Sequence, residues 1–295
     1  MKNYLFNIKL LCLAMMFILA HASTAQTTLQ VVTKSIEKTF SGSSVLTIEA
    51  EKADIEILTW EKSEIKVTID LIAKHPDRKT ASSDLEMLKY VAEKTSREVF
   101  LRNYLVIPNE KTKPSSNLKV RYSVRIPEGM KVMIQNSFGK VSVKGNLKNL
   151  NIKADFSIIE LDDLNGNIKL DTHYGEIISK SFSGVAVISS ERSDLTFSNL
   201  GGQNTINAQY GKLRIESVDG LKSLNINAEK ADINFEKAPL KSFYFDVSSR
   251  FGKMSLTSDF SWLQNDKTER SAILNSTLSS KIIINNSFGS ITIKN

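Results

Sequence analysis

The sequence predicts an all-β fold, a parallel β-helix or β-solenoid of about 18-residue coils with one short helical insertion. The first observation behind this is a fixed phase. The dipeptides Phe138-Gly139, Phe156-Ser157, Tyr174-Gly175, Arg192-Ser193 and Tyr210-Gly211 recur every eighteen residues. The second is a two-residue apolar period after each dipeptide, as in Val141/Val143, Ile159/Leu161, Leu195/Phe197 and Leu213/Ile215, which is the period of a strand with one buried face. The third is punctuation. Gly145, Gly166, Gly184 and Gly201-Gly202 separate these segments from a second alternating series, such as Leu150/Ile152/Ala154 and Ile168/Leu170. Each repeat is therefore strand, turn, strand, turn, and a unit that short can bury its apolar face only by stacking on its neighbours. A left-handed hexapeptide helix has the same period but needs three hexads per turn, and a β-sandwich would not hold one phase over five repeats.

Taken in chain order, the first segment is a removable leader. Lys2 and Lys9, the apolar run 10–20 and the small-residue exit His21-Ala22-Ser23-Thr24-Ala25 have the layout of a secretory signal peptide spanning 1–25. Cys12 sits near the start of that run, not at its end where a lipidated cysteine would stand, and a retained signal anchor is the other alternative. Residues 26–295 are expected to form the solenoid. Segment 46–57 (LTIEAEKADIEI) already belongs to the series, since 224–235 reads LNINAEKADINF. Segment 75–117 breaks the phase. Leu85, Leu88, Val91 and Ala92 at helical spacing predict a helix over 84–92 that covers an end or side of the stack, followed by a strand over 99–107. The corner series then runs to Lys230-Ala231 after twenty residues and Phe251-Gly252 after twenty-one. Segment 258–280, with Trp262 and the charged run 266–270, predicts an extended hairpin or loop before the last coil at Phe288-Gly289. That coil, NSFGSITIKN at 286–295, repeats NSFGKVSVKG at 136–145.

Composition narrows the function classes. With 41% apolar and 24% charged residues the chain is neither disordered nor polytopic, and no later segment reaches eighteen apolar residues. Removing the leader takes two of 39 basic residues and none of the 32 acidic ones, so 37 against 32 leaves +5. The single cysteine leaves as well, which excludes a disulfide, a thiol nucleophile or a thiolate metal ligand in the remaining chain. The positive charge is spread and not clustered, so a nucleic-acid partner is not expected.

Stacking converts the repeat into columns of residues about 4.8 Å apart. The corner column, read in chain order, is Phe138, Phe156, Tyr174, Arg192, Tyr210, Lys230, Phe251. It places the flat guanidinium of Arg192 between Tyr174 and Tyr210. This is expected to be a stabilising ladder first, and an exposed aromatic strip for a glycan second. The preceding column reads Ser137, Asp155, His173, Glu191, Gln209, Glu229. Asp155, His173 and Glu191 would be neighbours there, a carboxylate, imidazole and carboxylate able to hold a metal or move a proton. Members of a column lie in a line, whereas a metal needs ligands converging on a point, so a solvated polar ladder is the expectation and no metal or cofactor is implied. The acidic cluster Asp162-Asp163 with Asp171 and His173 does not fit a calcium loop, because positions one and twelve would be Leu161 and Thr172. No nucleophile elbow, phosphate-binding glycine loop or zinc helix is present in the sequence.

On the residues VRYSVRIPEGMKVMIQNSFGKVSVKG at 120–145, and the series of aromatic-glycine corners that follows, the chain resembles the bacterial exported β-strand-repeat proteins grouped as putative adhesins. The resemblance covers 45–295. It implies an envelope or secreted β-helix with no catalytic residues to carry over. The expectation is an exported, non-catalytic, adhesin-like binding or scaffolding protein of the cell envelope, periplasmic, outer-membrane-associated or secreted, whose partner is a glycan or an envelope protein. A β-helix polysaccharide lyase or hydrolase using Asp155, Asp162, Asp163 and His173, or an envelope-stress signalling partner, are the alternatives.

Overall fold

A computed structural model describes residues 28–108 and 112–295, and the leader read at 1–25 lies outside them. The described chain is nearly all β. Its strands are β1 (Gln30–Ser41), β2 (Val45–Glu51), β3 (Ala53–Trp60), β4 (Glu64–His75), β5 (Leu88–Thr95), β6 (Glu98–Leu105), β7 (Asn117–Pro127), β8 (Lys131–His173), β9 (Glu176–Ser179), β10 (Phe182–Glu191), β11 (Asp194–Phe197), β12 (Leu200–Ile215), β13 (Val218–Phe235), β14 (Tyr244–Arg250), β15 (Met254–Ser255), β16 (Ser261–Asn265), β17 (Glu269–Leu274), β18 (Lys281–Ser287) and β19 (Ile291–Ile293). One helix, α1 (Arg78–Leu85), interrupts them.

In the middle of the chain the ladders are parallel and in phase. Ile188 of β10 lies opposite Leu170 of β8 on one side and Ile206 of β12 on the other, each eighteen residues away. Leu195 of β11 lies likewise between Ile177 and Leu213. Alternation then does the rest. Ile168, Leu170, Ile188, Ile206, Leu213 and Ile215 point inward and are buried, and charged or polar residues between them point out. Each buried aliphatic side chain contributes about 1.5–3 kcal/mol. Because every coil repeats the inward pair, these contributions form one continuous core along the stack.

The sharp bend between the two strands of a coil is made by one residue in the left-handed region. Lys52, Phe138, Phe156, Tyr174, Arg192, Tyr210, Lys230, Phe251 and Phe288 all have φ between 50° and 62°. The residue after the bend alternates between glycine and a small side chain through Ala53, Gly139, Ser157, Gly175, Ser193, Gly211 and Ala231. The reason is crowding. A Cβ on Gly139 would stand 2.0 Å from Ala53 O, and one on Gly211 would stand 2.1 Å from Ser193 O.

Two expectations need correction. The predicted helix over 84–92 is displaced towards the N-terminus: α1 ends at Leu85, and 88–95 is strand β5, antiparallel to β6. Leu88 and Ala92 have period two as well as helical spacing, and both are buried in the strand. The open edge of β6 decides between the two patterns, since its backbone groups need partners. Asp77 starts the helix earlier, its carboxylate accepting from Thr80 N at 2.8 Å and Thr80 Oγ1 at 2.7 Å. The strand expected at 99–107 is β6, and the excursion at 258–280 contains the antiparallel hairpin β16–β17.

The second correction concerns coil order. β18 does not follow β14 at the end of the stack but lies between β13 and β14, with Ile284 opposite Ile226 on one side and Val247 on the other. A matched pair of corner sequences accounts for this. Asn286 Nδ2 donates to Ala231 O at 2.8 Å, and Ser290 N and Oγ donate to Asp232 Oδ1 at 3.0 and 2.6 Å. The same lock joins the earlier copies: Asn136 Nδ2 donates to Ala53 O at 3.2 Å and Lys140 N to Asp54 Oδ1 at 3.2 Å. The duplicated KAD and NSFG segments are thus the two halves of one repeated coil-to-coil interface.

Candidate functional site

The corner column is an exposed ladder running along the stack. Phe138 and Phe156 stack at 5.0 Å and 6° between ring planes, and Phe156 and Tyr174 at 4.9 Å and 7°. Arg192 lies 5.2 Å from the Tyr174 ring centroid and 5.3 Å from that of Tyr210. Its Nη1 also donates to the Tyr174 hydroxyl. Lys230 stands over Tyr210 at 5.1 Å, and its hydrogen bond to the Tyr210 hydroxyl, the largest cause, holds the ammonium above its ordinary range. The ladder then passes to Phe288, which lies 6.0 Å from Lys230 Nζ, and ends on Phe251, stacked on Phe288 at 5.1 Å. Phe251 therefore does not follow Lys230, because the strand carrying Phe288 is inserted between their coils. The rings at Phe138, Phe156, Tyr174, Phe251 and Phe288 are about half exposed.

The column before the corner behaves differently from its expected grouping. His173 Nδ1 lies 2.9 Å from Asp155 Oδ1, one coil away. Glu191 is in register with His173 but turns to Arg192, 3.4 Å from Nη1. The second carboxylate near the imidazole is Asp171, 4.0 Å from Nε2. Asp171 is two residues before His173 in the same strand and hence on the same face, which is the signal that points to it. All four groups are substantially exposed, and no three metal-ligating side chains converge among the described residues.

The acidic pair Asp162-Asp163 stands at the far end of the strand that follows the Phe156 corner, roughly 20 Å along the chain from that corner at about 3.3 Å per residue. Asp162 is paired with Lys144 at 3.1 Å, and Asp163 is itself a bend residue with φ 46°. Asp155 and His173 are thus brought together, and Asp162 and Asp163 are kept apart from them. Charges on the second-strand face pair across coils in the same way, Lys119 with Asp54 at 2.6 Å and Lys140 with Glu160 at 2.6 Å. Among the described residues of these two columns the arrangement is linear, with rings, cations and carboxylates displayed as rows.

Residues 43–294 match the family model described as Toastrack DUF4097. No curated protein matches the chain. Among solved structures, a "putative cell adhesion protein" from Clostridium sporogenes ATCC 15579 is similar at 12% identity and a TM-score of 0.27, covering 89% of this chain and 99% of that one. A "putative adhesin" from Bacteroides fragilis NCTC 9343 is similar at 14% identity and a TM-score of 0.38, covering 68% of this chain and 97% of that one.

Proposed function

The chain belongs to the Toastrack DUF4097 family, and from that premise we propose that it is an exported, non-catalytic, adhesin-like binding or scaffolding protein of the bacterial cell envelope. In this reading the architecture is a β-solenoid of about 18-residue coils that presents long rows of side chains to an extended partner, a glycan or an envelope protein, in the periplasm, at the outer membrane or outside the cell. The observation that carries it is the corner ladder. Nine consecutive corners hold side chains in the left-handed region where glycine would be unstrained, at a cost on the order of 1 kcal/mol each, and most of those side chains are half exposed. A surface that keeps large rings and cations at that cost is suited to contact along its length.

The polysaccharide lyase or hydrolase alternative needs Asp155, Asp162, Asp163 and His173 in one groove, and the separation of the two acidic groups counts against it. The test is a binding screen of the purified chain against envelope fractions and a polysaccharide panel, with polymer length followed in parallel. Binding with no change in polymer length is the expected result. Cleavage that disappears when Asp155, His173 and Glu191 are replaced would establish the enzyme reading in its place.

A further inference from the structure

We infer that the outward face of the last coils, walled by the β16–β17 hairpin, is a binding cleft for a neutral glycan; this rests on the binding reading above and gives it a place and a ligand class. One outward row of side chains runs across the later coils, from the end of β8 to the hairpin, and loses its charge along the way. It begins with Asp171 and Ser189, which are in register, and continues through Asn207, Asn227, Asn285, Ser248, Ser271 and Gln264. From Ser189 onward every member is an uncharged amide or hydroxyl. The row is joined internally: Asn227 Nδ2 donates to Asn207 Oδ1 at 3.3 Å, Asn285 Nδ2 to Asn227 Oδ1 at 3.2 Å, and Ser248 Oγ to Asn285 Oδ1 at 2.7 Å. Its last five members line an open cleft of ≈ 400 Å³.

The hairpin is what makes this a cleft. Where successive corners from Phe138 to Phe251 are 18 to 21 residues apart, 37 separate Phe251 from Phe288, and the extra chain lays β17 against β14 and β16 against β17. Gln264, oriented by a hydrogen bond to Asp266 Oδ2 at 2.8 Å, thereby joins the row from a strand whose five residues are all exposed. The cleft's charges are few and largely engaged: Arg250 lies 3.8 Å from Glu269, and Arg270 donates to Gly252 O. A polyanion would require several free cations, which the cleft lacks. At the rim, directly after Arg250 and Ser287, the exposed and mutually stacked rings of Phe251 and Phe288 end the ladder. Uncharged amides and hydroxyls spaced by one strand match a pyranose chain, whose hydroxyl edges need paired donors and acceptors, and the stacked rings of Phe251 and Phe288 bound it with their apolar edges.

The test is calorimetric titration of the purified chain with cellohexaose, chitohexaose, laminarihexaose and mannohexaose, and with a hexagalacturonate as the acidic comparator. Binding of at least one neutral hexasaccharide is expected, weakened tenfold or more by Gln264→Ala and by Asn285→Asp. The first substitution is at an exposed position, and the second keeps the size of the side chain while removing a donor. Tyr174→Ala probes the far part of the ladder, and Glu37→Gln, on the exposed face of β1 outside both ladder and cleft, should leave that affinity unchanged. Binding only of the acidic hexamer, or neutral binding lost in Tyr174→Ala and retained in the two cleft variants, overturns the cleft while leaving a binding function standing. Absence of binding to every oligosaccharide, with envelope fractions still captured, overturns the glycan assignment alone; if no envelope fraction is captured either, both readings fall.

Discussion

Phe156 allows the opposing contributions at the corner to be separated by two substitutions at one position. Its ring is stacked on Phe138 at 5.0 Å and on Tyr174 at 4.9 Å, half exposed, and its φ is 50°. Two aromatic contacts at about 0.5–1.5 kcal/mol each give a loss of about 1–3 kcal/mol when the ring is removed. Phe156→Ala takes that loss and keeps the left-handed strain of a residue with a Cβ. Phe156→Gly takes the same loss but relieves roughly 1 kcal/mol of strain. Glycine in a strand is ordinarily about 0.5–1 kcal/mol worse than alanine, so the relief should bring the glycine variant level with alanine or up to about 0.5 kcal/mol above it. Lys153 in the same strand is exposed and supplies the control, where alanine should win over glycine. The assay is the shift in denaturant midpoint for the four variants at unchanged slope. A glycine penalty at position 156 as large as that at position 153 would show that the left-handed corner carries no strain for a residue with a Cβ.

The remaining predictions concern the interior and the lock between coils. Asn286→Ala should cost about 1–3 kcal/mol, because the substitution leaves the Ala231 carbonyl without its buried side-chain donor; hydrogen exchange should show the loss first in 224–235 and 281–293. Gly211→Ala should destabilise the chain by about 1–3 kcal/mol in thermal or denaturant unfolding, since the new methyl group meets the Ser193 carbonyl at 2.1 Å. Ile226→Ala, at a side chain buried between two other isoleucines, should cost about 2–5 kcal/mol by the same measurement. Asp232 has its carboxyl held below the ordinary range by the Ser290 hydroxyl first and the Ser290 N–H second. A lowered folded value contributes stability that is present above the unfolded value, near 3.9, and is lost as pH falls through the folded one. Stability should therefore drop below about pH 4, and Asp232→Asn should reduce that drop in a pH series of unfolding midpoints.

The all-β character, the eighteen-residue offset of paired strands in the middle of the chain, the inward and outward faces and the stacking of Arg192 on two tyrosines are legible because each follows from short-range pattern. Strand alternation is a property of the backbone, and a fixed phase places equivalent residues over one another. The grouping of His173 was only half legible. Asp155 was accessible from the phase, but the choice between Glu191 and Asp171 as its other neighbour depended on Glu191 having Arg192 beside it in the chain. The cleft is not legible in the sequence, because its row is assembled from strands that are far apart in sequence and not in chain order.

What the sequence by itself determined is the local unit: a strand, a left-handed corner and a second strand, with one apolar face that obliges it to stack. What only the tertiary structure decided is which unit stacks on which. Segment 88–95 carries both helical and strand periodicity, and the open edge of β6 selects the strand. The last strand could have closed the end of the stack, yet hydrogen bonds from Asn286 and Ser290 to a corner 55 to 58 residues earlier draw it between β13 and β14. Periodicity is written in neighbouring residues, whereas the partner of a strand edge is set by whichever unpaired backbone and matching side chains the rest of the chain brings alongside it.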